Sequence, residues 1–305
     1  MASLSILIIT YNRPEDTLSL LQSINNQEDK TKHVKEILLL NNASTTSYQI
    51  IEDFIDQHPD LPVKYIKHSE NLGVAKGRNY LIQLATAEYL MFLDDDVEFY
   101  DNNAVAIAAT LFTGERYIEH NTAIITFNIF YYSTKERQIS AFPHKDFKRY
   151  QNKEWFLTYY FTGAAHLMKK ELFAKTGLYP SDFFYGMEEY DLSYRVIDAG
   201  YTIAFDHQIK VFHKESPEGR VTNSQKLGMM WLNKSKVAWR YLPQKYFYST
   251  VFMWGLQFLK KTRFNLVGFS QILKKVTGFK KNVPATKISR KSMAYLDKVG
   301  ARLWY

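Results

Sequence analysis

Residues 89–99 read YLMFLDDDVEF. An apolar run leads straight into three adjacent aspartates, Asp94, Asp95 and Asp96, and a valine follows at once. Like charges this close repel, and an ionised carboxylate resists burial unless it is paired. The stretch therefore reads as a buried strand that delivers an acidic cluster to a place where something positive meets it. In an extended segment the first and third of these side chains share a face. Such a rim of carboxylates suits a hard divalent cation, since Mg²⁺ takes one or two carboxylates plus substrate phosphates. Taken alone, an acidic turn or a helix N-cap is the plainer alternative.

Upstream, SILIITYN (5–12), EILLLNNAS (36–44) and VKYIKHS (63–69) are further β-rich runs. Helical stretches separate them: EDTLSLLQSINNQ, YQIIEDFIDQH, and NLGVAKGRNYLIQLA (71–85) before the acidic strand. Nearly wholly apolar strands alternating with helices are the pattern of a parallel sheet covered on both faces. Ligands bind such sheets at the carboxyl ends of the strands. TYNR (10–13), NNAS (41–44) and the aspartates all fall at that edge, so these polar clusters are expected to converge. Downstream the pattern weakens. NTAIITFNIFYY (121–132) and TIAFDHQIKVFHK (202–214) read as strands, and FTGAAHLMKKELFAKTG (161–177) as a strand or turn entering a helix. FFYGMEEYDLSYRVIDAGY (183–201) reads as a helix with acids in its first turn and Gly200 as its stop.

A chain of 305 residues holds one large α/β domain, or one domain plus an appendage. It has no cysteine, which excludes disulfides, thiolate metal sites and cysteine nucleophiles, and suits a reducing cytosol. The start, MASLSILIITYN, has neither the basic region nor the cleavage site of a signal peptide. The longest apolar candidate, FYSTVFMWGLQFL (247–259), is too short to span a bilayer. The net charge of +8 hides a split. Residues 245–305 carry 13 Lys and Arg against the single acid Asp297, a net +12, whereas residues 1–244 carry 26 basic against 30 acidic side chains.

Taken in order, SILIITYNRP, EILLLNNAST, NLGVAKGRN and FLDDDV, then TGAAHLMKKELFAKTGLYPSDFFYGMEEYDLSYRVIDAGY and VFHK, resemble the family 2 glycosyltransferases with the GT-A fold. The likeness covers roughly residues 4–215 and is greatest to bacterial, rhamnosyltransferase-like enzymes that extend cell-surface polysaccharides. It implies an α/β GT-A fold, with a Rossmann-like, mostly parallel sheet flanked by helices in a catalytic domain 1–220. Residues 1–100 would form its nucleotide-binding half, 101–220 its acceptor and catalytic half, and 221–305 a basic, aromatic-rich helical extension. The implied reaction is inverting, metal-dependent transfer from a UDP- or dTDP-linked sugar to a saccharide or polyprenyl-diphosphate-linked acceptor, in the cytoplasm at the inner face of the cell membrane.

The same likeness assigns residues. Thr10, Tyr11, Asn12, Arg13, Asn41 and Asn42 would hold the nucleotide, with Lys76 and Arg78 near base and diphosphate. Asn41 stands where the family usually has an aspartate, and its amide oxygen can still accept from a base N–H. The triplet is the family's DxD element, with Asp94 toward the ribose, Asp96 on Mn²⁺ or Mg²⁺, and Asp95 beside them. His213 would complete the metal or diphosphate site, and Arg220 in SPEGR (216–220) would close over the phosphates. Met187-Glu188-Glu189-Tyr190-Asp191-Leu192 matches the ED-x-DL motif, with Glu189 at the catalytic position. Because glutamate is one methylene longer than aspartate, Glu188 and Asp191 are the alternative bases. Acids in a helix's first turn are also favoured by its dipole, and Asp191 can pair with Arg195.

The basic tail suggests one more partner. Val251, Trp254, Phe258 and Leu259 fall at helical spacing between Lys and Arg residues, the pattern of a helix lying on a membrane surface. Core packing is the alternative for that stripe. Nucleic acid is not an expected partner, although aromatics among basic residues also suit single strands; an oligomer is possible. The competing functions are a nucleotidyltransferase and a non-catalytic membrane-binding adaptor. The first normally carries a Gly-rich loop after its first strand, where this chain has YNRPED.

Overall fold

The computed structural model describes residues 3–215 and 223–304. SPEGR and its Arg220 lie outside the described residues. β1 (Leu4–Thr10), β2 (Val34–Asn41), β3 (Val63–Lys67) and β4 (Tyr89–Asp94) are parallel, in the order β3-β2-β1-β4. Helices α1 (Pro14–Asn25), α2 (Gln49–Gln57) and α3 (Gly73–Leu84) make the crossovers. β5 (Val97–Phe99), α4 (Ala104–Leu111), β6 (Thr122–Tyr131), β7 (Trp155–Thr158), β8 (Ala165–Lys169), α5 (Glu188–Asp198) and β9 (Thr202–His213) follow. The sheet continues from β4 as β8-β6-β9-β5, with β7 also on β9. β8 runs against β4 and β6, and β5 and β7 run against β9, so among the described residues six of nine strands share a direction.

The period-2 pleat explains why the strands are apolar throughout. Leu7, Leu38, Leu40, Leu90 and Phe92 pack on one face, while Ile6, Ile8, Ile37, Leu39, Met91 and Leu93 pack on the other. In β1, β2 and β4, with both faces covered, the polar side chains fall near the strand ends.

The sequence pattern predicts that the strand runs on through all three aspartates, but it does not. β4 stops at Asp94, and Asp95 and Asp96 form a turn into β5. β4 lies inside the sheet whereas β5 lies at its edge on β9. Their short link therefore requires the sheet to curl round this turn. Val97 pairs with His213, and the Lys214 amide donates to the Asp96 carbonyl at 2.9 Å, which sets the histidine beside the turn.

Helices α6 (Asn223–Tyr241), α7 (Gln244–Lys261), α8 (Leu266–Gly278) and α9 (Arg290–Lys298) complete the chain. They bury Trp231, Phe258, Val276 and Leu296 in the core cluster that also holds Leu192 and Tyr194 of α5. Trp231 is fully buried, and its indole N–H donates to the Val251 carbonyl at 3.1 Å. Gly255 makes room for it, since a Cβ there would lie 3.1 Å from the indole. The stripe expected on a membrane surface is therefore core: Phe258 is buried, and Val251 and Trp254 pack against the same cluster. Among the described residues no helix is long and apolar enough to cross a membrane.

Candidate active site

The carboxyl ends of β1, β2 and β4 open into a cleft with two chambers, of about 410 and 430 Å³. Val74, Arg78, Asp94 and Tyr185 line both, so the chambers meet there. The first is walled by Tyr11, Arg13, Asn42 and the three aspartates. The second is walled by Glu188, Glu189, His213, Tyr160 and Tyr190, with Lys226 and Met230 added by α6.

Each aspartate has a different role. Asp95 is buried against the Arg13 guanidinium, with Nη1 at 2.8 Å, and accepts from the Tyr11 amide at 3.3 Å. Burial, only partly offset by Arg13, pushes its pKa up to about 7. Asp96 receives Arg13 at 3.2 Å on one oxygen and Nε2 of His213 at 3.3 Å on the other. Asp94 is the half-exposed member, 3.5 Å from Nη2 of Arg78. One ligand atom each from Asp94, Asp96 and His213 lie within 4.8 Å of one another. Nδ1 of His213 is tied to Gln138 Oε1 at 3.0 Å, which leaves Nε2 for this cluster. Burial lowers the imidazole's pKa, but the hydrogen bond and charge of Asp96 outweigh it and the net shift is upward. The carboxylates tolerate one another because Arg13, Arg78 and His213 surround them.

Arg78 joins the chambers. Surface solvation is the ordinary expectation for a helix arginine, yet this one is 4% exposed. Its Nη1 lies 2.9 Å from Glu189 Oε1 and 3.7 Å from Glu188, and Nη2 donates to the Gly163 carbonyl at 3.0 Å while facing Asp94. Burial lowers the guanidinium's pKa, but Tyr179 together with Glu189, Asp94 and Glu188 outweighs that cost and the net shift is upward. Glu188 is buried with its Oε2 unpartnered, and burial followed by the charge of Glu189 pushes its pKa up to about 8. Glu189 thus faces the second chamber as a carboxylate oriented by an arginine, next to a carboxyl that burial keeps neutral.

The remaining expected residues divide. Asn42 lines the first chamber, braced by Asn71 at 3.0 Å and by the Leu72 amide at 2.9 Å. Thr10 points inward to Thr17 and Tyr48, at 2.7 and 2.6 Å. Asn12 spends its oxygen on the Thr45 amide at 2.7 Å, and Asn41 holds the Ser44 amide at 2.9 Å and Tyr65 at 2.7 Å. These three residues shape the loops rather than face the cleft. Lys76 is exposed on α3 and lines neither chamber. Asp191 turns the other way from Glu189, held by Arg195 at 2.7 Å, Arg240 at 2.8 Å and Tyr241 at 3.1 Å. Asp191 lines neither chamber and bridges α5 to α6 through these bonds.

Sequence reasoning missed Gln138, Gly163, Tyr160 and the C-terminal contribution of Met230 and Lys226. Tyr160 stacks on Tyr190 at 4.8 Å, and buried Lys234 sits 3.3 Å over the Tyr190 ring. Only Gly163 left a trace, in the turn TGAA.

The chain is similar to known proteins over most of its length. The model of glycosyl transferase family 2 matches residues 5–177. An uncharacterised glycosyltransferase of Methanocaldococcus jannaschii is 24% identical over 259 residues, 83% of this chain and 84% of that one. The crystal structure of GalNAc-T7 with UDP, GalNAc and Mn²⁺ superposes with a TM-score of 0.63 at 16% identity, over 93% of this chain and 58% of its own. The mannosyltransferase PcManGT from Pyrobaculum calidifontis, in complex with GDP-Man and Mn²⁺, gives 0.61 at 16% identity, over 100% of this chain and 81% of its own. With over half its length inside that family model and the same sheet in those structures, the chain belongs to glycosyl transferase family 2 and has the GT-A fold.

Proposed function

We propose that the chain is an inverting, cation-dependent glycosyltransferase. It would move a sugar from a UDP- or dTDP-linked donor to a saccharide or lipid-linked saccharide, in bacterial surface polysaccharide synthesis at the cytoplasmic face of the membrane. One observation carries the reading: the carboxylates of Asp94 and Asp96 and the imidazole of His213 gather in one small space, and Glu189 faces the adjoining chamber. Two carboxylates with an imidazole Nε2 turned toward them are a donor set that fits Mn²⁺ or Mg²⁺. A bound dication supplies Lewis-acid neutralisation of the diphosphate as the sugar C1–O bond breaks. The GDP-Man and UDP complexes with Mn²⁺ of the structural neighbours support this assignment.

The chain's own residues do the rest. Arg13 holds Asp95 and Asp96 in place, and Asn42 with Tyr11 forms the wall on which a nucleotide rests. Glu189 takes the proton of the attacking hydroxyl from the side opposite the leaving group, as inversion requires. Arg78 aims Glu189 and ties it to Asp94, so donor and acceptor sites are positioned together.

Ligand binding to the folded state raises stability by mass action, by about 2.7 kcal/mol at a hundred times Kd. UDP or dTDP with Mn²⁺ should therefore raise the thermal midpoint, and EDTA or Asp96→Asn should remove the rise. An unchanged rise in Asp96→Asn would refute the cation assignment. Gly163→Ala tests the clamp separately. Its new Cβ would overlap Oε1 of Glu189 and come within 3.0 Å of Arg78. Transfer should fall about tenfold or more, since small misplacements of reacting groups are that costly, while nucleotide-dependent stabilisation persists. Equal turnover in Gly163→Ala would show that Glu189 need not sit where Arg78 holds it.

A further inference from the structure

We propose that the hairpin of α7 and α8 docks on an anionic lipid surface, through a face other than the stripe that sequence spacing picks out. The observation is an apolar strip left in water. Tyr248, Phe252 and Leu256 lie one helical turn apart on α7, and Phe252 is 64% exposed. Beyond the end of α7, Phe264, Leu266 and Val267 are 72%, 65% and 70% exposed. The turn that presents them is built, since Arg263 and Phe264 adopt positive φ and the Phe264 amide closes on the Leu259 carbonyl at 2.8 Å. The N-cap Asn265 then starts α8 by accepting from Gly268 at 2.9 Å.

Charge identifies the occupant. Lys260, Lys261 and Arg263 are exposed at this tip and Lys274 and Lys275 further along α8, and among the described residues none of them forms an ion pair with an acid. A second copy of the chain would bring the same cations against them. Tyr248, Phe252 and Phe264 also suit base stacking, but half of the strip, Leu256, Leu266 and Val267, is aliphatic and suits the boundary between headgroups and acyl chains. Each cation near an anionic leaflet adds about fivefold in affinity. α6 packs on α7 and α8 and also lends Lys226 and Met230 to the second chamber, so the docking hairpin and the acceptor end of the cleft are mechanically joined. The inference rests on the reading of the chain as an enzyme for lipid-linked acceptors and specifies how it reaches them.

The test is co-sedimentation of the full chain with phosphatidylglycerol–phosphatidylcholine vesicles and with phosphatidylcholine vesicles alone. Binding is expected to the first only, and Phe264→Ser/Leu266→Ser/Val267→Ser should lower it at least about tenfold. These side chains lie in solvent, so the thermal midpoint should be unchanged. UDP–Mn²⁺ calorimetry on the same preparations reads the donor site independently, so loss of nucleotide binding with retained vesicle binding counts against the enzyme reading alone. The docking proposal is overturned if the wild type ignores anionic vesicles or if the triple variant binds them equally. It is also overturned if the substitutions instead abolish self-association in sedimentation velocity or binding to a single-stranded oligonucleotide.

Discussion

Glu189→Gln should lower transfer by about a hundredfold to ten-thousandfold, the usual contribution of a general base, and leave nucleotide–Mn²⁺ binding intact. The amide fills the same space and can still accept from Arg78 Nη1, now 2.9 Å from Oε1, but it cannot take a proton. Glu188→Gln is the control. Because burial already pushes the Glu188 pKa up to about 8, glutamine imitates its neutral form, and transfer should persist. The sign of its effect on stability is also set. A carboxyl whose folded pKa exceeds its unfolded value stabilises the fold at low pH and loses that contribution as pH rises through the folded pKa. Glu188→Gln should therefore gain on the wild type in thermal midpoint as pH climbs from the ordinary carboxylate range to about 8, and the gain should level off above that. Active Glu189→Gln beside dead Glu188→Gln would exchange the two roles.

Arg78→Met should destabilise the protein by about 3–5 kcal/mol, the cost of removing one partner from a buried ionic network. That is about a fifth or more of the roughly 5–15 kcal/mol stability of a typical domain. The methionine would leave Glu189 and Asp94 facing each other without a cation, and would deprive the Gly163 carbonyl of its donor. Arg78→Lys is the sharper variant. Its compact ammonium can meet one chamber but not span both, because the planar fork is what reaches Glu189 through Nη1 and Asp94 through Nη2. Stability should recover in part and transfer should not. Denaturant midpoints alongside initial rates separate the two effects, and full turnover in Arg78→Lys would mean that the chambers need no shared clamp.

The parallel half of the sheet was legible because both faces of β1, β2 and β4 are buried, which leaves apolar runs whose polar ends can only be loops. The same logic placed Arg13, Asn42 and the aspartates at one edge. It says less where a polar side chain has a structural use of equal chemical plausibility. Family likeness assigns Thr10, Asn12 and Asn41 to the nucleotide, and the structure engages each of them in loop hydrogen bonds. The tail failed for a related reason: spacing reveals that a helix has apolar stripes but not which one meets a neighbour. Trp231 of α6 settles that by covering Phe258 and leaving Phe252 outside.

Sequence alone determined the layered α/β plan, the acidic corner, the nearby carboxylates of α5 and the cationic end, because periodicity, charge and local propensity are properties of neighbours along the chain. Tertiary structure decided that Arg78 is buried between two chambers, that Asp191 braces α6, that His213 stands beside Asp96, and which face of α7 remains in water. Those outcomes depend on which distant surfaces arrive to desolvate a given group, and desolvation is set by the whole fold.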